Sequence, residues 1–446
     1  MQKTLSVIGL GKLGLGMAAC LADKGHYVIG VDIDKKVIDA VNAGESPLYE
    51  PVLSDLIERS RGRLIATDDY EKAVKQSSVI FIFVGTPSEQ DGGFSTRYIA
   101  PVAAEIGKHL KQTADFKVIA LRSTILPGTT ERVVKPILEE TSGKLCGRDF
   151  GLCYNPEILA LGSVIRDFLN PDVVTIGESD KVSGDMLADI YTATCENNPP
   201  IVRTSLTNAE IAKISLNVFL TVKMSFANTI AEICEKVPGG DVDKVSEILG
   251  CDRRIGRKFL TGATRYGGPC FPRDTKAFIA FTRQIGCQAL LANAADQVND
   301  LQNGRIIETI IQKVGPLKGK QVALLGLTYK PDTDIVLESA ALGVTQIFVQ
   351  EGALLKVFDP AGIENTRQVL PGNSIEYTES IEQCLRDTEL CIVLTPWKEF
   401  KQLTPQDFIR EMKTPVILDC WRLYNNKDFR DGVDYIALGV EGSRPC

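Results

Sequence analysis

The chain has no pair of cysteines spaced as C-x-x-C and only two histidines, His26 and His109. The first absence argues against metal sites built on paired thiolates, and the second against a histidine-dependent triad. Long apolar runs are missing too: no stretch reaches the ~18 residues that a membrane span needs. Lys3 followed by an apolar stretch to Ala18-Ala19-Cys20 resembles a secretion signal, but four glycines and Lys12 interrupt it. Strand, turn and helix is the better reading. Positive charge is not in excess either. The net charge is −7, so neither nucleic acid nor a membrane surface is an expected partner, and an anionic ligand would need a local basic cluster. A cytoplasmic setting is expected.

What remains is an ordinary globular composition, 44% hydrophobic and 24% charged over 446 residues. That length exceeds one core and implies two or three domains. Most of the 12 cysteines, among them Cys20, Cys153, Cys234 and Cys391, lie in apolar runs and read as core filler.

The N-terminal pattern is more specific. Leu5-Ser6-Val7-Ile8 reads as a buried strand, Gly9-Leu10-Gly11-Lys12-Leu13-Gly14 follows at once, and Met17 to Lys24 reads as a helix. Tyr27 to Val31 forms the next strand and ends on Asp32. The glycines allow a tight turn, close approach of backbone N–H groups to a pyrophosphate, and close helix–strand packing. The carboxylate of Asp32 is spaced to meet ribose hydroxyls and to repel a 2′-phosphate, which favours NAD over NADP. Two further strands, Val79 to Val84 and Val118 to Leu121, end in Gly85-Thr86-Pro87 and Arg122-Ser123-Thr124. Each of these loops reads equally as a ligand loop or as a plain turn.

Residues 208–235 give the longest helical pattern, with Ile211, Ile214, Val218, Val222, Phe226, Ile230 and Ile233 at three- and four-residue spacing. Lys213 and Asn217 share one of its faces, and a helix of this length between two halves suits a dimer spine. The densest basic cluster, Arg253-Arg254-Ile255-Gly256-Arg257-Lys258, reads as a diphosphate site or as a surface charge run. Beyond it, strands Gln321 to Leu327, Leu355 to Phe358, Cys391 to Leu394 and Val416 to Leu418 alternate with helices, without a second glycine fingerprint. The expected class is α/β: two doubly wound, Rossmann-like domains joined by a long central helix. The boundaries are 1–203 for the dinucleotide domain, 204–300 for a central helical region carrying dimerisation and the catalytic loop, and 301–446 for a second α/β domain.

Cys270, in Tyr266-Gly267-Gly268-Pro269-Cys270-Phe271-Pro272-Arg273-Asp274, changes the expected chemistry. A thiol beside a nicotinamide site can trap an aldehyde as a thiohemiacetal, which yields a second hydride and becomes a thioester.

Taken in order, Gly9-x-Gly11-x-x-Gly14, Tyr49-Glu50-Pro51, Gly85-Thr86-Pro87, Arg122-Ser123-Thr124, Asn155-Pro156-Glu157, Lys213-x-x-x-Asn217, Arg254-Ile255-Gly256, Gly267-Gly268-x-Cys270-Phe271-Pro272-x-Asp274 and Gly326-Leu327-x-Tyr329-Lys330-Pro331 resemble the nucleotide-sugar 6-dehydrogenases. The resemblance covers nearly the whole chain. It implies four-electron oxidation of a nucleotide sugar's C6 alcohol to a uronate with NAD, UDP-glucose being the first expectation and GDP-mannose or a UDP-N-acetylhexosamine the alternatives. It also implies Cys270 as nucleophile, Lys213 and Asn217 as oxyanion donors, Asp274 orienting Lys213 or a water, Glu157 as hydrolytic base and Thr124 positioning water. On the cofactor side it implies Gly9, Leu10, Gly11, Lys12, Leu13, Gly14, Asp32, Lys36, Val84, Gly85, Thr86, Pro87, Ser123 and Arg273. The nucleotide sugar would meet Glu157, Ile158, Leu159, Lys213, Asn217, Lys258, Phe259, Leu260, Tyr266, Gly267, Tyr329, Lys330 and Arg422, with Arg254 reaching from the second chain of a homodimer.

The chain departs from the family pattern in several places. Leu161 stands for a usual Glu, Leu337 for a usual Arg, Arg265 for Gly, Pro269 often for Ser and Arg273 for Lys. Losing both charges at once strands neither, so Leu161 and Leu337 are expected to form a buried apolar contact. A two-electron hydroxyacid dehydrogenase and a non-catalytic nucleotide-sugar binder are the competing readings. A product assay separates them.

Overall fold

A computed structural model describes residues 2–372, 374–424, 429 and 432–441. The chain divides into two units, Met1–Leu216 and Asn217–Cys446.

The first unit is built on β1 (Thr4–Ile8), β2 (Tyr27–Val31), β3 (Leu64–Thr67), β4 (Val79–Ile82), β5 (Val118–Leu121), β6 (Gly151–Tyr154), β7 (Val174–Glu178) and β8 (Ile201–Thr204), in the order β3-β2-β1-β4-β5-β6-β7-β8. Pairing is parallel except between β6 and β7. The strands β4, β5 and β6 are buried on both faces, as helix-covered parallel strands must be. β4 ends at Ile82 rather than at the expected Val84. The Val84 carbonyl instead accepts the Ser123 hydroxyl at 2.6 Å, which ties the first loop to the second.

The second unit carries β9 (Gln321–Leu325), β10 (Leu354–Phe358), β11 (Ile375–Tyr377), β12 (Leu390–Val393), β13 (Val416–Asp419) and β14 (Asp434–Ala437), all parallel, in the order β11-β10-β9-β12-β13-β14. This repeats the order of the first six strands of the first sheet. The fold is thus two Rossmann-like parallel-sheet domains with a long central helix, Leu206–Lys236.

By length and apolar content that helix could cross a membrane, which corrects the expectation that no such segment exists. Its buried positions nevertheless include Glu210, Lys213, Asn217, Asn228 and Glu235, a set that hydrocarbon would not tolerate. Glu210 accepts the Gly128 N–H at 2.5 Å and the Thr130 N–H at 2.8 Å, and so holds the turn after β5.

The two sheets share one more detail. Gly9 and Gly326 both follow the first strand of their sheet at φ +95, and each donates its N–H to the end of the neighbouring strand, at Val31 and Phe358. A carboxylate then binds the following turn. Asp32 accepts the N–H groups of Leu10 at 2.7 Å and Asp34 at 2.9 Å. Asp359, 2% exposed, accepts from Leu327 N, Thr328 N, Thr328 Oγ1, Trp397 Nε1, Ala361 N and Gly362 N. After Gly326 the amides of Leu327 and Thr328 turn to the carboxylate instead of the ladder.

The two aspartates should therefore respond differently to removal. Asp359→Ala strands several buried donors and should cost about 3 kcal/mol or more, whereas Asp32→Ala should cost about 1 kcal/mol. Urea denaturation of the two variants checks this, and equal losses would contradict the assignment.

Candidate active site

In the first unit the glycine turn leaves room in one place and none in others. A Cβ on Gly9 would sit 2.4 Å from the Phe83 carbonyl oxygen, and one on Gly14 2.0 Å from that of Gly9. A Cβ on Gly11 or Gly85 would meet nothing within 4 Å. Gly11 caps the helix Lys12–Asp23 without a side-chain hydrogen bond, as a glycine must. These features fit a dinucleotide pyrophosphate, with Asp32 already fixed at the end of β2 for the ribose. The neighbouring loops are stitched together: besides Ser123 to Val84, Thr86 donates its hydroxyl to the Thr124 carbonyl at 2.7 Å.

Thr124 leads to a buried carboxylate and ammonium. Its hydroxyl lies 3.2 Å from Glu157 Oε1, and Lys213 Nζ lies 3.9 Å from the same oxygen. All three side chains are buried. Glu157 Oε2 is buried and has no hydrogen-bond partner among the described residues. Glu50, in the Tyr49-Glu50-Pro51 motif, accepts the N–H groups of Gly162 and Val164, each at 2.9 Å. It thereby fixes the segment that follows Glu157. The sequence flagged this motif without a role.

In the second unit Cys270 is exposed at the N-cap of the helix Phe271–Gln284, which has a proline in its first turn. Helix N-termini favour anions. Asp274, fully buried, accepts from Asn217 Nδ2 at 2.6 Å through one oxygen and from the Arg273 guanidinium at 3.1 Å through the other. Asp274 therefore orients Asn217, while Lys213 is placed beside Glu157. Arg273, expected on the cofactor side, spends part of its guanidinium on Asp274. Gly268 has φ +81, and a Cβ there would lie 2.5 Å from the Tyr329 ring. Only glycine fits this contact, which sets Tyr329 against the thiol loop. Lys330 Nζ lies 5.9 Å from the centre of the same ring. Tyr266 and Leu260 are buried, while Arg254, Lys258 and Phe259 are exposed. Arg254 pairs with Asp252.

Arg422 was expected to hold a ligand. Its Nε and Nη2 donate to Asp243 at 2.8 and 3.1 Å, Nη2 also to Thr261 O at 2.7 Å, and Nη1 to Gly262 O and Leu438 O at 2.8 and 2.7 Å. A guanidinium has five N–H donors, so none is left over: Arg422 clamps the start of the thiol loop. Leu337 is 56% exposed. Its carbonyl accepts the Gly268 N–H at 3.0 Å, so this position serves the thiol loop through its backbone. The charge absent at 337 has a counterpart at Arg265, whose Nη2 lies 3.3 Å from Glu338 Oε2.

Sequence reasoning missed the residues that hold this loop. Residues 261–269 form neither helix nor strand. Ala263 donates its N–H to Asn228 Oδ1 at 2.8 Å, the Ala263 carbonyl accepts from Gln302 Nε2, and the Thr264 carbonyl accepts from Asn228 Nδ2 at 3.4 Å. Their only signal in the sequence is amides set at otherwise apolar helical positions.

Three family models cover most of the chain. The UDP-glucose/GDP-mannose dehydrogenase family NAD binding domain matches residues 3–195, its central domain 207–301 and its UDP binding domain 323–426. A UDP-glucose 6-dehydrogenase of Haloferax volcanii is 38% identical over 97% of this chain and 99% of its own length. One from Bacillus subtilis is 34% identical over 100% and 95%. The solved structure of a UDP-glucose dehydrogenase from Pyrobaculum islandicum superposes with a TM-score of 0.89 at 32% identity, covering 100% of this chain and 98% of that one.

If Arg422 is a clamp, Arg422→Lys loses two donors. It should destabilise the protein by about 1–3 kcal/mol and speed hydrogen exchange around Thr261 and Gly262. Unchanged exchange together with weakened ligand binding would restore the ligand-holding role.

Proposed function

The chain belongs to the UDP-glucose/GDP-mannose dehydrogenase family, and from that membership we propose that it oxidises the C6 alcohol of UDP-glucose to the carboxylate of UDP-glucuronate. It is an NAD-dependent oxidoreductase. The observation that carries the reading is Cys270: an exposed thiol on a helix N-terminus, in a loop whose backbone is otherwise buried and fastened. We retain the division into residues 1–203 for NAD, 204–300 for the central region and 301–446 for the nucleotide sugar, and a cytoplasmic setting.

When bound, NAD accepts a hydride from carbon, and two such transfers with one water account for alcohol to carboxylate. The chain's own residues do the rest. The Cys270 sulfur adds to the aldehyde carbon, forming a C–S bond and placing negative charge on oxygen. Asn217 has a second amide proton beyond the one given to Asp274, and it donates to that oxygen; such a donor is worth roughly 3–4 kcal/mol in the transition state. After the second oxidation the carbon is a thioester. Glu157 takes a proton from water, the water oxygen adds to the thioester carbon, and the C–S bond breaks with the thiolate leaving. Thr124 holds the Glu157 carboxylate in place, and Lys213 beside it balances its charge.

A homodimer is part of this proposal. Phe219, Phe226 and Ile233 stand seven residues apart on the central helix and are 64%, 51% and 50% exposed, a stripe that suits burial against a second copy. Sedimentation at micromolar concentration should give two chains per particle. A single chain that is fully active would remove this part.

With UDP-glucose the protein should form two NADH per sugar, and a panel including GDP-mannose and UDP-N-acetylhexosamines tests the choice of sugar. Cys270→Ser should abolish uronate formation and leave NAD binding intact. Glu157→Gln should slow thioester hydrolysis more than oxidation, so that intact-protein mass spectrometry finds a sugar adduct on Cys270. Full uronate production by the serine variant would refute the nucleophile.

A further inference from the structure

Tyr266 is buried, four residues before Cys270, in a segment without secondary structure. Its backbone cannot reach water and must find partners inside the protein. Both come from one side chain. Tyr266 donates its N–H to Asn299 Oδ1 at 2.8 Å, and Asn299 Nδ2 donates to the Tyr266 carbonyl at 3.1 Å. Asn299 is 1% exposed, within the helix Leu290–Val314. Its amide offers the same donor and acceptor as a peptide group, so it pairs with Tyr266 as a neighbouring strand would. The effect passes to the thiol by packing. The Tyr266 ring meets the Phe271 ring edge-on, with centroids 6.4 Å apart, and Phe259 meets Phe271 from its own position at 6.3 Å. Phe271 opens the helix whose N-cap is Cys270, and the Cys270 carbonyl accepts the Asp274 N–H at 2.8 Å.

We infer that Asn299 is a positioning residue for the reaction, fixing the backbone of Tyr266 and through the Tyr266–Phe271 contact the reach of the Cys270 thiol. The inference rests on Cys270 being the nucleophile. Among the buried amides that hold the loop, Asn299 binds both polar groups of a single residue and acts nearest to the thiol. It touches no reacting atom.

Asn299→Asp is the informative variant. An ionised aspartate still accepts from the Tyr266 N–H but sets an oxygen against the Tyr266 carbonyl. A protonated one donates and restores the pair. Burial raises a carboxyl pKa, so the switch falls within an accessible pH range. The ionisable groups around the clamp are Asp296, Asp300, Lys276, Arg265, Glu338 and the Tyr266 hydroxyl, which burial pushes up. They are common to both proteins, so the ratio of variant to parent removes their titration.

Two rates are measured on the full chain across pH: uronate formation, and alkylation of Cys270 by iodoacetamide read by peptide mass spectrometry. In Asn299→Asp both ratios should fall about tenfold or more from acid to mildly alkaline pH, through kcat, with the NAD dissociation constant unchanged. Asn299→Leu, which cannot titrate, should lose both rates equally at every pH, and it provides the test if the aspartate variant does not fold. Flat ratios in a folded Asn299→Asp, or parental rates in Asn299→Leu, would overturn the inference. Should Cys270→Ser retain turnover while the alkylation ratio still follows pH in Asn299→Asp, the nucleophile reading fails and the positioning of the thiol stands.

Discussion

A buried backbone with no strand or helix to join must be satisfied group by group, and much of the second unit is arranged around that constraint. Residues 261–269 are such a segment. Their polar groups are taken up by Asn228 from the central helix, Gln302 and Asn299 from a second helix, Arg422 from the end of β13 and the carbonyl of Leu337. A loop held this way is as fixed as a strand, yet free to follow a path no sheet permits. Cys270 can therefore be exposed while the chain leading to it is not.

The same principle explains why two nearly identical turns differ in use. Both sheets begin with a glycine at φ +95 and place a carboxylate against the turn. At Asp32 each oxygen takes one backbone N–H, and capacity remains. At Asp359 the oxygens are saturated, with the Trp397 indole among the donors. The first turn can receive a ligand, whereas the second is closed by its own side chains. The repeat in strand order suggests a common plan, but the hydrogen-bond count decides which copy is a site.

These differences separate what the sequence disclosed from what it did not. The glycine fingerprint, the apolar strands and the long helix follow from local steric rules and hydrophobic periodicity, and they appear within a few residues of where those rules put them. Cys270 stands out because a thiol in a glycine loop far downstream of a dinucleotide fingerprint has few structural reasons to exist, whereas Glu157 and Lys213 take their roles only from the family resemblance. Asn228, Asn299 and Gln302 do not stand out: on a helix an amide looks like solvated surface, and its bond to a loop many residues away follows no period. Arg422 entered the sequence reading only through the family resemblance, and the positions of four internal carbonyl and carboxylate groups show where its donors go. Leu337 likewise acts through its carbonyl, to which side-chain reasoning is blind.

The Arg422 clamp also bears on how the protein is made. The guanidinium joins Thr261 and Gly262 to Leu438 near the far end of the chain, and Val242 donates to the Gly439 carbonyl alongside. On a ribosome the thiol loop emerges long before these partners do. Until the last strand has been added, the clamp lacks its Leu438 acceptor, and the loop is held only by Asn228, Asn299, Gln302 and the rest of the Arg422 contacts. A chain cut between Arg422 and β14 would carry the Cys270 loop and the Arg422 guanidinium without the Leu438 carbonyl that completes the clamp.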